Sequence, residues 1–219
     1  MSSTSANTQI EHPSKHEQML LHLSFMLSRA LWTPREMTGE EPESLRAIPA
    51  DILGPHAPIV ASLADAWDAA LQDRTAFSIA YAKLFLGPFQ ILAPPYASFY
   101  LEDDQRLMGQ VSNSVADLYA QAGLKPGPGP REIPDHAALE LEFLYFLTHQ
   151  WVETQDESWR QLREQFVSDH LVLWMPEFCN AISNASVHEF YDQWCVCVIA
   201  LLRRFVGDAA FPPSPAVQE

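Results

Sequence analysis

Apolar residues along this chain recur at intervals of three and four, the spacing that lines one face of a helix. Leu20, Leu23, Leu27 and Leu31 form the first stripe, behind Ser14-Lys15-His16-Glu17, whose hydroxyl and carboxylate suit a capping box. Residues 35–56 hold three prolines and predict short helical turns and loop. Ile59, Leu63, Ala66, Trp67 and Ala70 then restore the helical period. Thr75 is placed to cap the next helix, with Phe77, Tyr81, Leu84 and Phe85 as its buried stripe and Gly87-Pro88 as its stop. A helix starting at Asp103 or Asp104 carries Leu107, Val111, Val115, Leu118 and Ala122 and is closed by Gly123. Asp135 is placed to cap a strongly apolar helix through Leu139, Phe143, Leu147 and Trp151. The next runs from Ser158 past Leu162, Phe166, His170 and Trp174 to Pro176. The last starts at Ser186, carries Phe190, Trp194, Val198 and Phe205, and ends on Arg203, Arg204 and Gly207. No period-two run and no internal repeat breaks the pattern. The fold class is therefore all-α, a helical bundle of about eight to ten helices.

Pro126-Gly127-Pro128-Gly129-Pro130 opposes both helix and strand, because three residues lack an amide donor and the glycines favour neither. Residues 124–134 accordingly read as a Pro/Gly hinge between an N-terminal helical part, 14–123, and a C-terminal one, 135–208. Residues 1–13 read as a disordered tail and 209–219 as a flexible one. A hinge of this kind lets two lobes exchange between chains, so a monomer or a domain-swapped homodimer is expected.

Charge narrows the partners. Thirteen Lys and Arg against twenty-eight Asp and Glu give a net charge of −15. That field repels phosphate backbones and anionic headgroups and attracts basic partners. Nucleic acid is excluded as a partner, and stable membrane insertion is not expected because no long uninterrupted apolar run occurs. Residues 1–11 are polar and lack a basic start, so no secretory signal is read there. Three cysteines are too few for a disulfide framework and suit the reducing cytoplasm. Cys195 and Cys197 lie in an apolar helix, where residues two apart point about 200° away from each other. With Cys179, they read as packing residues.

Catalytic motifs are scarce. His136 and Glu140 lie four apart on one helical face and could share a metal. The repeated Glu-x-x-His pair of di-metal bundles does not occur. Nor does a Gly-x-Ser-x-Gly elbow, a P-loop or a dinucleotide fingerprint. Glu140 and Glu142 read as solvated charges on a helix edge. Residues 87–100 are too apolar for a bare surface connector and must pack on the core or line a groove.

Two blocks carry a resemblance. One is Tyr81-Ala82-Lys83-Leu84-Phe85-Leu86-Gly87-Pro88, followed by Pro94-Pro95-Tyr96-Ala97-Ser98-Phe99-Tyr100-Leu101. The other is Ile133-Pro134-Asp135-His136-Ala137-Ala138-Leu139-Glu140-Leu141-Glu142-Phe143-Leu144. In this order they resemble the TorD/DmsD/NarJ family of redox-enzyme maturation chaperones, most of all its TorD and DmsD branches. The resemblance implies a non-enzymatic cytoplasmic protein with no cofactor of its own. Its partner would be the twin-arginine leader, and the mature part, of a molybdenum-containing oxidoreductase, held until cofactor insertion is complete.

The same resemblance places leader binding at Pro134, Asp135 and His136, with Leu84, Phe85 and Gly87 as neighbouring apolar surface. A leader with a cationic pair and an apolar segment calls for an apolar groove with carboxylates at its rim. Phe85, Pro94, Ser98, Tyr100 and Leu139 are candidates for the groove, and Asp135, Glu140 and Glu142 for the rim. Asp135 keeps two readings, helix cap alone or cap plus ligand contact. Some relatives carry a tryptophan on the helix before the first block, and this chain has none between Trp67 and Trp151. The alternatives are an all-α metal-dependent hydrolase using His136 and Glu140, or an adaptor of the same fold for another basic client.

Overall fold

Most of each stripe folds as a helix, with Leu31 and Leu107 falling just outside α1 and α6, in the computed structural model, which describes residues 15–54, 58–87, 90–105, 107–125 and 132–211. The fold is all-α, as the spacing predicts. The elements are α1 (Lys15–Arg29), α2 (Glu41–Arg46), α3 (Ile59–Gln72), α4 (Arg74–Tyr81), α5 (Ala97–Leu101), α6 (Gln110–Gln121), α7 (Ala137–Thr154), α8 (Glu157–Phe166), α9 (Val172–Ala185) and α10 (Glu189–Val206). A π-helical turn, Ala82–Leu86, extends α4, and another, Val167–Leu171, joins α8 to α9. Among the described residues the nearest thing to a sheet is one antiparallel bridge between Tyr96 and His136. The tail 1–13, the cap at Ser14, Pro88, the run 126–130 and most of the tail 209–219 lie outside the described residues.

Several helix ends differ from the expectation, each for a local reason. Asp73, not Thr75, caps α4, accepting from the Ala76 amide at 2.9 Å. Glu102, not Asp103 or Asp104, serves the first turn of α6, accepting from the Val111 amide at 2.8 Å. Asp156 caps α8, two residues before Ser158. Pro176 does not end a helix but lies inside α9, whose buried Trp174, Met175 and Phe178 hold it in the core. Packing here outweighs the lost amide. Ser186 closes α9 in the left-handed conformation with φ 47°, and His188 caps α10 through Nδ1, 3.2 Å from the Phe190 amide.

The helices pack around one buried cluster that includes residues from both sides of 126–131. The longest seam runs between α1 and α7, while α3 lies against α2 and α10, and α10 against α9. Trp67, Trp174 and Trp194 are fully buried. Trp194 ties the seams together by donating its indole N–H to the Leu27 carbonyl at 2.9 Å. Burying a ring of this size removes several kcal/mol of apolar exposure, on the order of 25 cal/mol per Å².

Candidate functional site

The chain enters α7 through residues 132–136, which lie beside the apolar stretch 93–98. The Ala97 amide donates to the Asp135 carbonyl at 3.0 Å, and the Ala137 amide to the Pro95 carbonyl at 2.8 Å. The apolar stretch is fastened at its other end, where the Ala93 amide donates to the Leu84 carbonyl at 2.9 Å. Pro94 and Pro95 are buried against the core, as expected of residues too apolar for a free loop.

Asp135 occupies a different place from the one expected. It is 0% exposed, so it is neither a rim carboxylate nor the cap of α7. Its Oδ2 accepts from the Ser98 amide in the first turn of α5 at 2.7 Å. Its Oδ1 accepts from the Ser112 hydroxyl of α6 at 2.6 Å. The carboxylate therefore joins α5, α6 and the start of α7 from inside. Its capping ability serves α5, because the backbone pairing with residues 95–97 turns the side chain that way.

His136 caps α7 instead, its Nδ1 accepting from the Ala138 amide at 3.1 Å. The ring is 6% exposed, and burial, the largest influence, lowers its pKa despite Glu132 and Asp135 nearby. The neutral ring that results is the form whose Nδ1 can accept. It stacks on Trp32, with ring centres 5.7 Å apart and planes 17° apart, and takes Tyr96 edge-on at 5.2 Å. Pro134 is held next to it through its carbonyl, which accepts from Tyr119 at 2.9 Å.

Carboxylates edge this aromatic group. Trp32 donates its indole N–H to Glu142 Oε1 at 2.9 Å, and Tyr96 donates its hydroxyl to Glu132 Oε1 at 3.1 Å. Glu132 is exposed. Burial raises the pKa of half-buried Glu142, against the opposing pull of Trp32 and Arg29. Tyr81 is also in range: burial first, then the charges of Glu132 and Glu36, push its phenol up. Trp32, Glu132 and Glu36 were not singled out from the sequence, because each sits on a segment read as a helix end or loop, and Tyr96 entered only as a member of the first block, not as a site residue.

Glu140 is a second correction. It is 0% exposed, not on a rim or a solvated edge. Its Oε1 lies 2.7 Å from His170 Nε2, and its Oε2 accepts from the Trp174 indole at 3.0 Å. Both oxygens are thus engaged below the surface, away from any shared ligation with His136. Burial raises the Glu140 pKa, and the Glu140 charge raises that of His170 in spite of the ring's own burial. The pair holds a proton more tightly than either group does in water.

The remaining predicted residues divide. Leu84, Phe85 and Ser98 are buried, and Phe85 meets Tyr81 and Tyr191 edge-on at 5.3 and 5.2 Å. Half-buried Tyr100 stacks on the fully buried Trp174, with ring centres 5.8 Å apart. Gly87 has φ 33°, and a Cβ there would strike the Gln90 carbonyl, so glycine is required for the turn. Leu86 and Leu92, on either side of that turn, are 61% and 42% exposed. Among the described residues no three His, Cys, Asp or Glu side chains are grouped to hold a metal ion. No helix among them is long and apolar enough to cross a membrane.

Residues 53–180 match the family model described as nitrate reductase delta subunit. The chain is 30% identical to the chaperone protein TorD of Psychrobacter sp. (strain PRwf-1) over 134 residues, covering 58% of each chain. It is 30% identical to the TorD of Salmonella arizonae over 149 residues, covering 66% of this chain and 67% of that one. It is 24% identical to the probable Tat proofreading chaperone DmsD of Haemophilus influenzae over 128 residues, covering 58% of this chain and 59% of that one. The chain thus spans a little over half the length of the Psychrobacter relative, at 58%. With the family match covering more than half of its residues, the chain belongs to the nitrate reductase delta subunit family, the family of the TorD, DmsD and NarJ chaperones.

Proposed function

We propose that this chain is a cytoplasmic chaperone that binds the twin-arginine leader of a molybdenum-containing oxidoreductase. It holds the precursor, including part of its mature region, until the cofactor is inserted, and catalyses no reaction itself. The observation that carries this reading is the Trp32–His136 stack with Glu142 and Glu132 at its edges. A guanidinium group is planar, weakly hydrated and rich in donors, so it suits an aromatic face bordered by carboxylates. Leu86 and Leu92 offer exposed apolar surface for the segment that follows the arginines. The net charge of −15 would draw a cationic leader in before contact. Asp135 and Glu140 act from below in this reading, holding the platform rather than meeting the peptide.

Calorimetric titration with a twin-arginine leader peptide tests it. Glu132→Gln and Trp32→Ala should each weaken binding by about 1.5–3 kcal/mol, roughly ten- to a hundredfold. Added salt should weaken the wild type and leave a residual apolar contribution. Unchanged affinity in folded variants would move the binding site elsewhere. Equal affinity for a basic peptide without the apolar segment would instead favour the adaptor reading.

A further inference from the structure

Cys179 in α9 and Cys195 in α10 are equidistant in sequence from Val187, at the turn where the two helices fold back on each other. That register brings them together across the seam. The Cys195 thiol donates to the Cys179 backbone carbonyl across the seam, with Sγ 3.8 Å from the oxygen. Both also line a groove of about 790 Å³ that opens to solvent, walled by Leu53, Ile59, Val196 and Ile199. Cys179 is 6% and Cys195 4% exposed. Cys197 differs: it is 0% exposed and faces the core on the other side of α10. Packing alone explains Cys197, but not why two thiols meet at the floor of an open groove.

We propose that Cys179 and Cys195 form a redox-modifiable dithiol, which closes to an intrachain disulfide when a low-molecular-weight disulfide enters the groove. One cysteine loses its proton to solvent, and its sulfur attacks one sulfur of R–S–S–R. The S–S bond of the small molecule breaks, and R–S⁻ leaves and takes up a proton. The second cysteine, deprotonated in turn, attacks the protein sulfur of the mixed disulfide and expels the other R–S⁻, which is also protonated. The two cysteines are oxidised by two electrons, and the small disulfide is reduced to two thiols. The product ties α9 to α10 covalently across their seam.

Burial and the adjacent Cys179 push the Cys195 thiol well above its ordinary range. Its thiolate is therefore scarce near neutral pH, and closure should be slow there and faster in alkali. Cys197, pushed up to about 12 by burial alone, serves as the internal control.

The test exposes the reduced full chain to hydroxyethyl disulfide under native conditions, followed by non-reducing digestion and mass spectrometry. The expected product has lost two hydrogens, contains a Cys179–Cys195 linked peptide and keeps Cys197 free. Cys195→Ser should stop at a mixed disulfide on Cys179, and Cys197→Ser should close as the wild type does. Phenylarsine oxide, which bridges two adjacent thiols, should bind the wild type in a one-to-one ratio and needs no variant to fold. Wild-type thiols that stay reduced, that stop at mixed disulfides, or that link Cys197 as readily would overturn the proposal. So would failure to bind the arsenical.

Discussion

Ser112 Oγ donates to Asp135 Oδ1 at 2.6 Å, inside the protein, between α6 and the residue that precedes the cap of α7. A carboxylate that the sequence places beside the ligand thus serves as a buried fastening for three segments. Its influence on binding is expected to come through the order of the Tyr96–His136 region. Ser112→Ala removes one charge-assisted bond and should cost about 1.5–3 kcal/mol of stability. Asp135→Ala leaves the Ser98 amide and the Ser112 hydroxyl without an acceptor, so it should cost more. Urea unfolding of both single variants and the double should give a coupling of about 1 kcal/mol or more. Strict additivity would mean that the two groups do not depend on each other.

His136 combines a cap with an aromatic face, and substitution can separate them. His136→Ala should lose about 0.5–2 kcal/mol of stability with the cap, and leader affinity with the ring. Asn accepts an amide as well as His does, so His136→Asn should keep most of the stability and still bind about tenfold more weakly, about 1.4 kcal/mol. Thermal unfolding and calorimetry on the same samples check both halves.

The Glu140–His170 pair gives stability a pH dependence of defined sign. Both groups bind a proton more tightly in the folded protein than in the unfolded chain. Their contribution is fully present below the unfolded carboxylate value of 4.5 and is lost as pH rises through the raised value of His170, above 6.5. His136 acts oppositely, since its lowered pKa makes it destabilising as pH falls below 6.5. The difference between wild type and His170→Gln isolates the pair. His170→Gln should be less stable by about 1–3 kcal/mol at pH 5, and the gap should narrow towards pH 9. Denaturant unfolding across that range measures it, and a gap that widens with pH would contradict the assignment.

Gly87→Ala should be the costliest of the substitutions at positive-φ glycines. Its Cβ would meet backbone at Gln90, whereas at Gly54, Gly123 and Gly207 a Cβ meets nothing within 4 Å. Those three carry only the penalty of positive φ, about 1 kcal/mol each. Gly87→Ala should exceed that, with a matching drop in melting temperature.

The apolar run of α7 and the two blocks around it were legible because helical period is a local property. Asp135 was misread because its partners, Ser98 and Ser112, lie far back in the chain. Local logic makes an Asp before an apolar run a cap, and only the pairing with residues 95–97 assigns that task to His136. Trp32 left no trace as a site residue. It follows the last turn of α1 just before Pro34, and its partner Glu142 is 110 residues away. Pro176 shows the reverse error, a strong local stop overruled by the core around Trp174 and Phe178.

The π-helical turn at Val167–Leu171 sets the rotational phase between α8 and α9. A π turn accommodates one extra residue, so helix faces on its two sides are offset by about 100° from an uninterrupted α-helix. On one side, Phe166 meets Phe143 edge-on at 5.0 Å, and Arg163 donates to Glu17 at 2.8 Å. On the other, Trp174 reaches Glu140 at 3.0 Å. Deleting a single residue from this turn would leave both helices intact in composition and propensity. It would nevertheless throw them out of step, so that with Phe166 seated on Phe143 the indole of Trp174 would swing away from its carboxylate.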